Sequence, residues 1–211
     1  MFLKRMLGFA AALLLASNVV HADPGAPEVA LKESTEKLQT LIRDNYKDYR
    51  ADSQKFYKVV DDVVVPRFDV PYVTKLVLAT NYRTASAEQR SRFAEAFKNM
   101  LMRSYANAML DNYNSVKIEW AQPRLAPGAT DTVVNTKLGR DNGKPYEIGF
   151  RVHVAQDEWK IYDIIVEDIS LVTNFRTQLN SEIKKTNLED VIARMEHGDF
   201  VADGKSEGKK G

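Results

Sequence analysis

The sequence predicts an α+β domain in which helices from both ends of the chain cover the apolar face of a curved antiparallel sheet of about four strands and enclose a cavity. Three observations favour this class. Before Asn114, apolar residues recur every three or four positions, which is the period of a helix. After Asn114 they alternate with polar residues, which is the period of a strand. Beyond Val166 the helical period returns.

Two helices are predicted before Pro66. The first runs through about Tyr46 and carries apolar residues at helical spacing: Leu31, Leu38, Leu41 and Ile42. Asp52 or Ser53 can cap the second, because their side-chain oxygens accept hydrogen bonds from free backbone N–H groups. Pro66 ends it, since proline has no N–H to continue the hydrogen-bond ladder.

Two more helices precede the sheet. Asp69 caps the third, and Pro71 falls in its first turn, where a missing N–H costs little. Ser86 and Gln89 form a capping box that begins the fourth helix. Apolar residues follow on that helix at intervals of three and four: Phe93, Phe97, Met100, Leu101, Tyr105, Ala108 and Met109.

The second half predicts a sheet with one apolar face. A short strand carries Val116, Ile118 and Trp120 at alternate positions. Segments 132–138 and 146–154 flank the turn sequence 141–144, which favours an antiparallel hairpin. In the second of these segments one face is apolar and the other polar; the apolar residues are Tyr146, Ile148, Phe150, Val152 and Val154.

A last strand leads directly into the closing helices. Residues 159–166 are rich in aromatic and β-branched side chains, which favour a strand. Ser170 can cap a helix over about 170–185, because Leu171, Phe175 and Leu179 follow at helical spacing. A final helix over about 187–196 begins with Asn187 and Asp190 as a capping pair.

The two ends of the chain are predicted to lie outside the folded domain. Residues 1–22 have the features of a cleaved secretory signal: basic Lys4 and Arg5, an apolar run over 6–16, and the small residue Ala22 at the cleavage point. That run of 11 residues is shorter than the roughly 20 needed to span a membrane. Residues 23–198 then form a single domain, and the small, charged residues 199–211 a disordered tail.

Composition narrows the class of protein further. The chain has no cysteine, so an exported form carries neither disulfides nor a cysteine-linked lipid anchor. Subtracting the 22 signal residues from 211 leaves 189, enough for one domain with a sizeable core. Without Lys4 and Arg5, the 30 basic residues become 28 against 29 acidic ones, a net charge of −1. This balance does not suggest a nucleic-acid partner.

Three sequence blocks carry a resemblance to a known family. The run from Trp159 to Arg176 reads WKIYDIIVEDISLVTNFR, and two earlier blocks read VPRFD from Val65 and VLATNYRTASAEQR from Val77. Together, over about residues 29–196, they resemble the MlaC family, the periplasmic lipid-binding component of the Mla (toluene-tolerance-type) ABC transport system. Ala79 and Asp168 stand where that family usually has glycine.

The resemblance implies a function. It implies a soluble periplasmic phospholipid carrier of a Gram-negative bacterium, with no enzymatic activity and no cofactor apart from the lipid cargo. Its partners would be the inner-membrane Mla ABC transporter complex and the outer-membrane Mla lipoprotein complex, between which it would shuttle lipid as a monomer and so maintain outer-membrane lipid asymmetry. Docking surfaces for such transient contacts are expected to be modest in area.

The resemblance also implies that the apolar walls hold acyl chains. Without it, the same stripes of residues are by default a packed core. The expected cavity residues are Phe68, Leu76, Phe97, Leu101, Tyr105, Met109, Ile148, Phe150, Val152, Val166, Val172 and Phe175. Arg83, Arg90 and Arg176 are candidates for headgroup recognition or partner docking, since guanidinium groups suit phosphate, with salt bridging or helix capping as the alternative.

Two other classes of function stay open. One is a periplasmic adaptor or chaperone that binds proteins in a groove without lipid cargo. The other is a small-molecule enzyme, for which the residues offer little: His153 faces away from the apolar side, and Asp61 and Asp62 point about 100° apart on a helix. Asp163 shares strand parity with Trp159, so burial beside an arginine and a functional role both remain possible.

Overall fold

The computed structural model describes residues 24–114, 117–139 and 144–200; the predicted signal peptide, Val116, residues 141–143 of the predicted turn and the tail from 201 onward lie outside the described residues. The first half is helical, as predicted. In chain order the helices are α1 (Pro27–Ala51), α2 (Ser53–Val63), α3 (Val70–Leu78), α4 (Asn81–Thr84) and α5 (Ala87–Asn112), with a 3-10 turn at Val65–Arg67.

The second half forms an open antiparallel sheet followed by two helices. Within the described residues the sheet has five strands in the order β1-β2-β3-β4-β5. They are β1 (Ile118–Trp120), β2 (Asp131–Leu138), β3 (Tyr146–Ala155), β4 (Glu158–Val166) and β5 (Ile169–Ser170), and the helices that follow are α6 (Leu171–Lys185) and α7 (Leu188–His197). The predicted α+β class is confirmed.

Helix boundaries follow the capping residues that the sequence supplies. Five side-chain oxygens accept hydrogen bonds at 2.9–3.1 Å from backbone N–H groups in the first turn of the helix each precedes: Asp52, Asp69, Ser86, Ser170 and Asn187. The capping box is complete, since Ser86 N–H donates to Gln89 Oε1 at 3.0 Å. α1 is longer than predicted and continues to Ala51 across a kink at Asn45.

The junction between β4 and α6 is not the direct passage from strand to helix that the sequence predicts. Glu167 and Asp168 have φ of 47° and 65°, and this turn reverses the chain into the short strand β5 before α6 begins. Aspartate adopts this left-handed region more readily than most residues, because its short polar side chain can bond locally. Ala79, at the end of α3, also has a positive φ of 51° but lacks such a side chain.

The core consists of separate clusters of buried side chains. The first helical cluster joins α3, α6 and α7 with the N-terminal half of α5, and includes Phe93, Phe97, Phe175 and Leu179. The second helical cluster joins α1 and α2 with the C-terminal half of α5, and includes Phe56. The sheet cluster is built on the apolar face; its buried members are Leu31, Val134, Val152, Trp159 and Ile161. α5 therefore belongs to both helical clusters but not to the sheet cluster.

A bulge in β4 changes which residues share a face. Arg151 is opposite Asp163 but Val152 is opposite Ile161, so Tyr162 is an extra residue in the register. Strand parity therefore predicts the position of Asp163 wrongly, because Asp163 lies on the face opposite to Ile161. On that second face the sheet is also covered near β3 and β4, where rings from α3 and β4 pack on His153.

Candidate functional site

Part of the apolar sheet face is only half-buried and adjoins the sheet cluster, against which Trp120, Phe150 and Ile164 pack. We call the apolar strip the half-buried residues Trp120, Ile148, Phe150, Ile164 and Val166. Strand pairing places them side by side, since Ile148 is opposite Val166 and Phe150 opposite Ile164, and the Trp120 and Phe150 rings stack with centroids 6.0 Å apart. The strip is thus a continuous, partly open apolar surface.

The strip continues to the end of the sheet where β3 begins and β5 lies. Thr136 lies between Trp120 and Ile148 in the pairing, but it is buried and its hydroxyl donates to the Ile148 carbonyl at 3.2 Å. Beyond it, Tyr146 and Ile169 on the same face are 41% and 39% exposed. Large apolar side chains therefore reach solvent at this end of the sheet.

The predicted cavity residues fall into two sets. The sheet set is Phe68, Ile148, Phe150, Val152 and Val166; Val152 is fully buried, whereas the others are half-buried. The helix set is Leu76, Phe97, Leu101, Tyr105, Met109, Val172 and Phe175. In the helix set, Phe97 and Phe175 pack edge to face at 5.3 Å within the first helical cluster. These two side chains therefore contact each other.

One row of the helix set becomes progressively more exposed along α5. Phe97 is buried, Leu101 and Tyr105 pack half-buried against the first helical cluster, and Met109 is 40% exposed. Burial raises the pKa of the Tyr105 hydroxyl. The row lies at a spacing of four residues and so forms a single stripe on the helix.

Of the three predicted arginines, one is held in place. Arg90 Nε donates to the Tyr82 carbonyl at 3.0 Å, and its guanidinium carbon lies 4.2 Å from the centre of the Tyr82 ring. Arg83 and Arg176 are exposed. Within the described residues Arg90 forms no ion pair, and its hydrogen bond to the Tyr82 carbonyl, in the last turn of α4, is a helix-capping contact.

Asp163 has a structural role that explains its burial. It is 4% exposed, and it accepts hydrogen bonds from Ser170 Oγ at 2.7 Å and from Val172 N–H at 3.0 Å, with Arg151 at 3.6 Å. The carboxylate thus fastens the start of α6 to β4. Of the two roles left open, burial beside an arginine is the one that the structure shows.

His153 is enclosed rather than available as a general base. Its Nε2 lies 2.9 Å from Asp69 Oδ2, and its ring packs between Tyr72 and Tyr162 at 4.9 and 5.1 Å. Burial of the Tyr162 hydroxyl is the main cause, and its hydrogen bond with Asp131 the second cause, of a rise in the pKa of Tyr162 to about 12. The group ties the start of α3 to the second face of the sheet.

A cavity of about 460 Å³ lies on that second face, over Gly149. Its wall carries Glu119, Lys137 and Glu147, which are directly paired across three strands. Three charges in a row make this cavity a poor counterpart of the predicted apolar one, because charged groups lose hydration when apolar material covers them. The apolar strip on the other face matches the prediction better.

Two other features, a metal site and a membrane-spanning helix, can be assessed within the described residues. No group of three or more His, Cys, Asp or Glu side chains in the described ranges is arranged to hold a metal ion. None of the helices formed by these residues is long and apolar enough to cross a membrane.

Sequence reasoning missed two members of the apolar strip. The alternation of Val116, Ile118 and Trp120 predicts a half-buried strand, but it does not mark Trp120 as a cavity residue. Ile164 could not be assigned a face, because the bulge at Tyr162 breaks the alternation of β4. A bulge of this kind leaves no clear sequence signal here.

Comparison with known proteins identifies the family. The family model described as MlaC protein matches residues 32–197. The chain belongs to the MlaC family. The matched range contains the whole sheet, the apolar strip and α2 to α7, which confirms the resemblance of the three sequence blocks.

Two MlaC relatives align over most of the chain. The toluene tolerance protein ttg2D of Pseudomonas putida is 28% identical over 174 residues, covering 82% of this chain and 80% of that protein. The intermembrane phospholipid transport system binding protein MlaC of Haemophilus influenzae is 24% identical over 174 residues, covering 81% of each.

A solved structure shares the fold. The phospholipid-binding protein from Ralstonia solanacearum, in complex with a phospholipid, superposes with a TM-score of 0.74 at 24% sequence identity, covering 82% of this chain and 97% of that one. This chain therefore shares the fold of that protein.

Proposed function

We propose that this protein is a periplasmic phospholipid carrier that holds acyl chains on the apolar strip. It shuttles lipid between the inner-membrane Mla transporter complex and the outer-membrane Mla lipoprotein complex. In this way it maintains the lipid asymmetry of the outer membrane. The mature chain begins near Asp23, after removal of residues 1–22. It acts by binding, as a monomer and without catalysis; its cargo is the lipid.

The apolar strip is the observation that carries the proposal. Its five side chains continue the packed sheet face but are only half-buried, in a chain whose family includes a phospholipid transport binding protein. A diacyl lipid has on the order of 30 chain carbons, and at ~0.8 kcal/mol per methylene their exposure to water costs on the order of 20 kcal/mol. An apolar surface shielded from water is what a carrier needs to offset that cost.

The helix set supplies the opposite wall. Because the sheet cluster is separate from both helical clusters, an acyl chain between them leaves all three intact. Leu101 and Tyr105 are half-buried and Met109 is exposed, and these are the side chains of α5 that we assign to the other side of the acyl chain. Leu76 on α3 and Val172 on α6 are half-buried and are also assigned to this wall, and Phe97 and Phe175 pack in the first helical cluster.

The headgroup is expected to remain in water. Burying a charged phosphate without paired partners is costly, so loose selection among headgroups follows. Arg83 and Arg176 are exposed and are our candidates for weak contacts with the phosphate.

The first test is organic extraction of protein purified without detergent, with mass spectrometry of the extract and a molar ratio to protein. We expect about one phospholipid per protein. Phe150→Glu, on the apolar strip, should lower that ratio at least tenfold, because a carboxylate would be buried against acyl chains. Asn135→Glu is the matched control, since Asn135 lines the cavity on the second face of the sheet.

The outcomes separate the alternatives. If the Asn135→Glu variant lost its bound lipid and the Phe150→Glu variant kept it, the cargo would be placed in the 460 Å³ cavity instead. Absence of lipid from the wild-type protein would favour an adaptor or chaperone that binds proteins. Circular dichroism of both variants checks that they are folded.

A further inference from the structure

A second cleft lies away from the apolar strip, between the start of α3 and the first turns of α5. Its volume is about 250 Å³, and Val70, Pro71 and Thr74 line one side. Tyr82 and three residues of α5 complete it: Arg90, Ser91 and Ala94. The lining is mainly apolar, with one cationic group.

Arg90 is the unusual member of this cleft. Its Nε hydrogen bond and its stacking on Tyr82 fix the guanidinium group in place. In the part of the chain that the structure describes, no carboxylate forms an ion pair with it, whereas Arg92 two positions later binds two glutamates. A guanidinium group carries five N–H donors, so a half-buried arginine that uses one of them retains capacity for an anion.

The other polar groups around the cleft do not supply that anion. The buried Thr74 hydroxyl donates to the Val70 carbonyl at 2.8 Å. Both carboxylate oxygens of Asp69 are engaged, by Tyr72 N–H and by His153. Exposed Lys75 on α3 and exposed Arg83 on α4, each next in the chain to a residue that lines the cleft, add positive charge.

The size of the cleft indicates the class of ligand. Sites for small molecules are commonly about 300–1,000 Å³, and this cleft is below that range. A volume of this size suits one or two anchoring side chains of a protein partner, which is how the energetic centre of an interface is commonly built.

We propose that the Arg90 cleft is a docking site for a protein partner that presents a carboxylate side chain beside an aliphatic one. The carboxylate binds the free edge of the Arg90 guanidinium, and the aliphatic group packs on Val70, Pro71 and Ala94. The identity of the partner rests on the proposed function: it is one of the two membrane complexes between which the lipid is shuttled. The cleft is distinct from the lipid site.

The test measures binding of the full mature chain to the purified inner-membrane Mla transporter complex and, separately, to the outer-membrane lipoprotein complex. Arg90→Glu reverses the charge, and Ser91→Tyr fills the cleft while leaving the contact between Arg90 and Tyr82 intact. Both variants should weaken binding to the same complex, or to both complexes, by tenfold or more. Arg124→Glu, an equal charge change at an exposed loop residue, should bind as the wild type does.

Lipid content is measured in parallel to separate this inference from the proposed function. Both cleft variants should retain the wild-type lipid ratio, which also shows that they are folded. Wild-type affinity for both complexes in either cleft variant would overturn the docking site. A wild-type protein that binds neither complex would also overturn the docking site. The same conclusion would follow if the cleft variants lost binding to vesicles containing phosphatidylglycerol but kept their binding to the complexes.

Discussion

At the scale of single residues, the most informative side chain is Asp163. It lies in the block that carries the family resemblance, and its carboxylate binds Ser170 and the backbone of Val172. Ser170 Oγ accepts from Thr173 N–H while donating to Asp163, so one hydroxyl links the strand to the helix cap. The burial of Asp163 in this sequence block is therefore explained by its contacts in the fold.

Asp163→Ala should lower the free energy of unfolding by about 2–4 kcal/mol, because it removes a buried carboxylate and leaves two half-buried donors, Ser170 Oγ and Val172 N–H, unpaired. Urea denaturation at neutral pH measures this. The matched control is Asp111→Ala, which removes an aspartate that pairs with Arg50 at 3.0 Å but is 53% exposed, and which should cost less than about 1 kcal/mol. Equal effects of the two substitutions would contradict the structural role of Asp163.

At the scale of elements, α5 organises the helical half. It contributes to both helical clusters, and on its outer side Arg92 reaches α7, where it binds Glu196 at 2.8 Å and also Glu189. The hydrogen bond from Arg92 is the main reason that the pKa of each glutamate is lowered. This pairing fixes α7 against α5 in addition to their shared core.

A pH dependence follows from these lowered pKa values. A carboxylate whose pKa is lower in the folded state stabilises the fold above its unfolded pKa of about 4.3, and that contribution is lost as pH falls through the folded pKa. Arg92→Gln should therefore lower the urea midpoint at pH 7, and the difference from wild type should shrink by pH 3. Arg124→Gln is the control, and a difference that persists unchanged at pH 3 would count against the ion pairs.

At the scale of the whole molecule, the separation of the clusters is the feature that links fold to function. The helical clusters are held by their own contacts, and the sheet cluster is completed by Leu31 of α1 and by Phe68. Trp159 Nε1 donates to the Gly25 carbonyl at 2.8 Å, which ties the start of the described chain to the sheet. A ligand between sheet and helices would add to the contacts that Leu31, Phe68, His153 and Asp163 already make between them.

Removal of the lipid should consequently lower the melting temperature. A ligand that binds only the folded state stabilises it by an amount that grows with its concentration relative to Kd, for example about 2.7 kcal/mol at one hundred times Kd. Differential scanning calorimetry before and after delipidation, and after reloading from vesicles, measures the shift. Phe150→Glu should show no shift on delipidation, and a wild-type protein whose melting temperature is unchanged would argue against a bound lipid.

The sequence alone determined the class, the main helices and strands, and the helix starts that are marked by capping residues, but not the short elements α4 and β5. Caps such as Asp69 and Ser86 act within three residues, and the periods of helix and strand are local as well, so no tertiary information is needed to find them. The sequence blocks also indicated the family. The apolar face of β3 followed from simple alternation.

Only the tertiary structure decided how these parts meet. The bulge beside Tyr162 moved Asp163 to the opposite face, which alternation cannot anticipate. The expected cavity residues divided into a sheet set and a helix set, because the same apolar pattern serves a packed core and an open surface equally well. The sequence does not distinguish Arg90 from the other arginines, whereas the structure shows that it contacts the Tyr82 ring and lines a cleft. Contacts between residues distant in the chain depend on how whole elements pack, and local sequence does not encode that packing residue by residue.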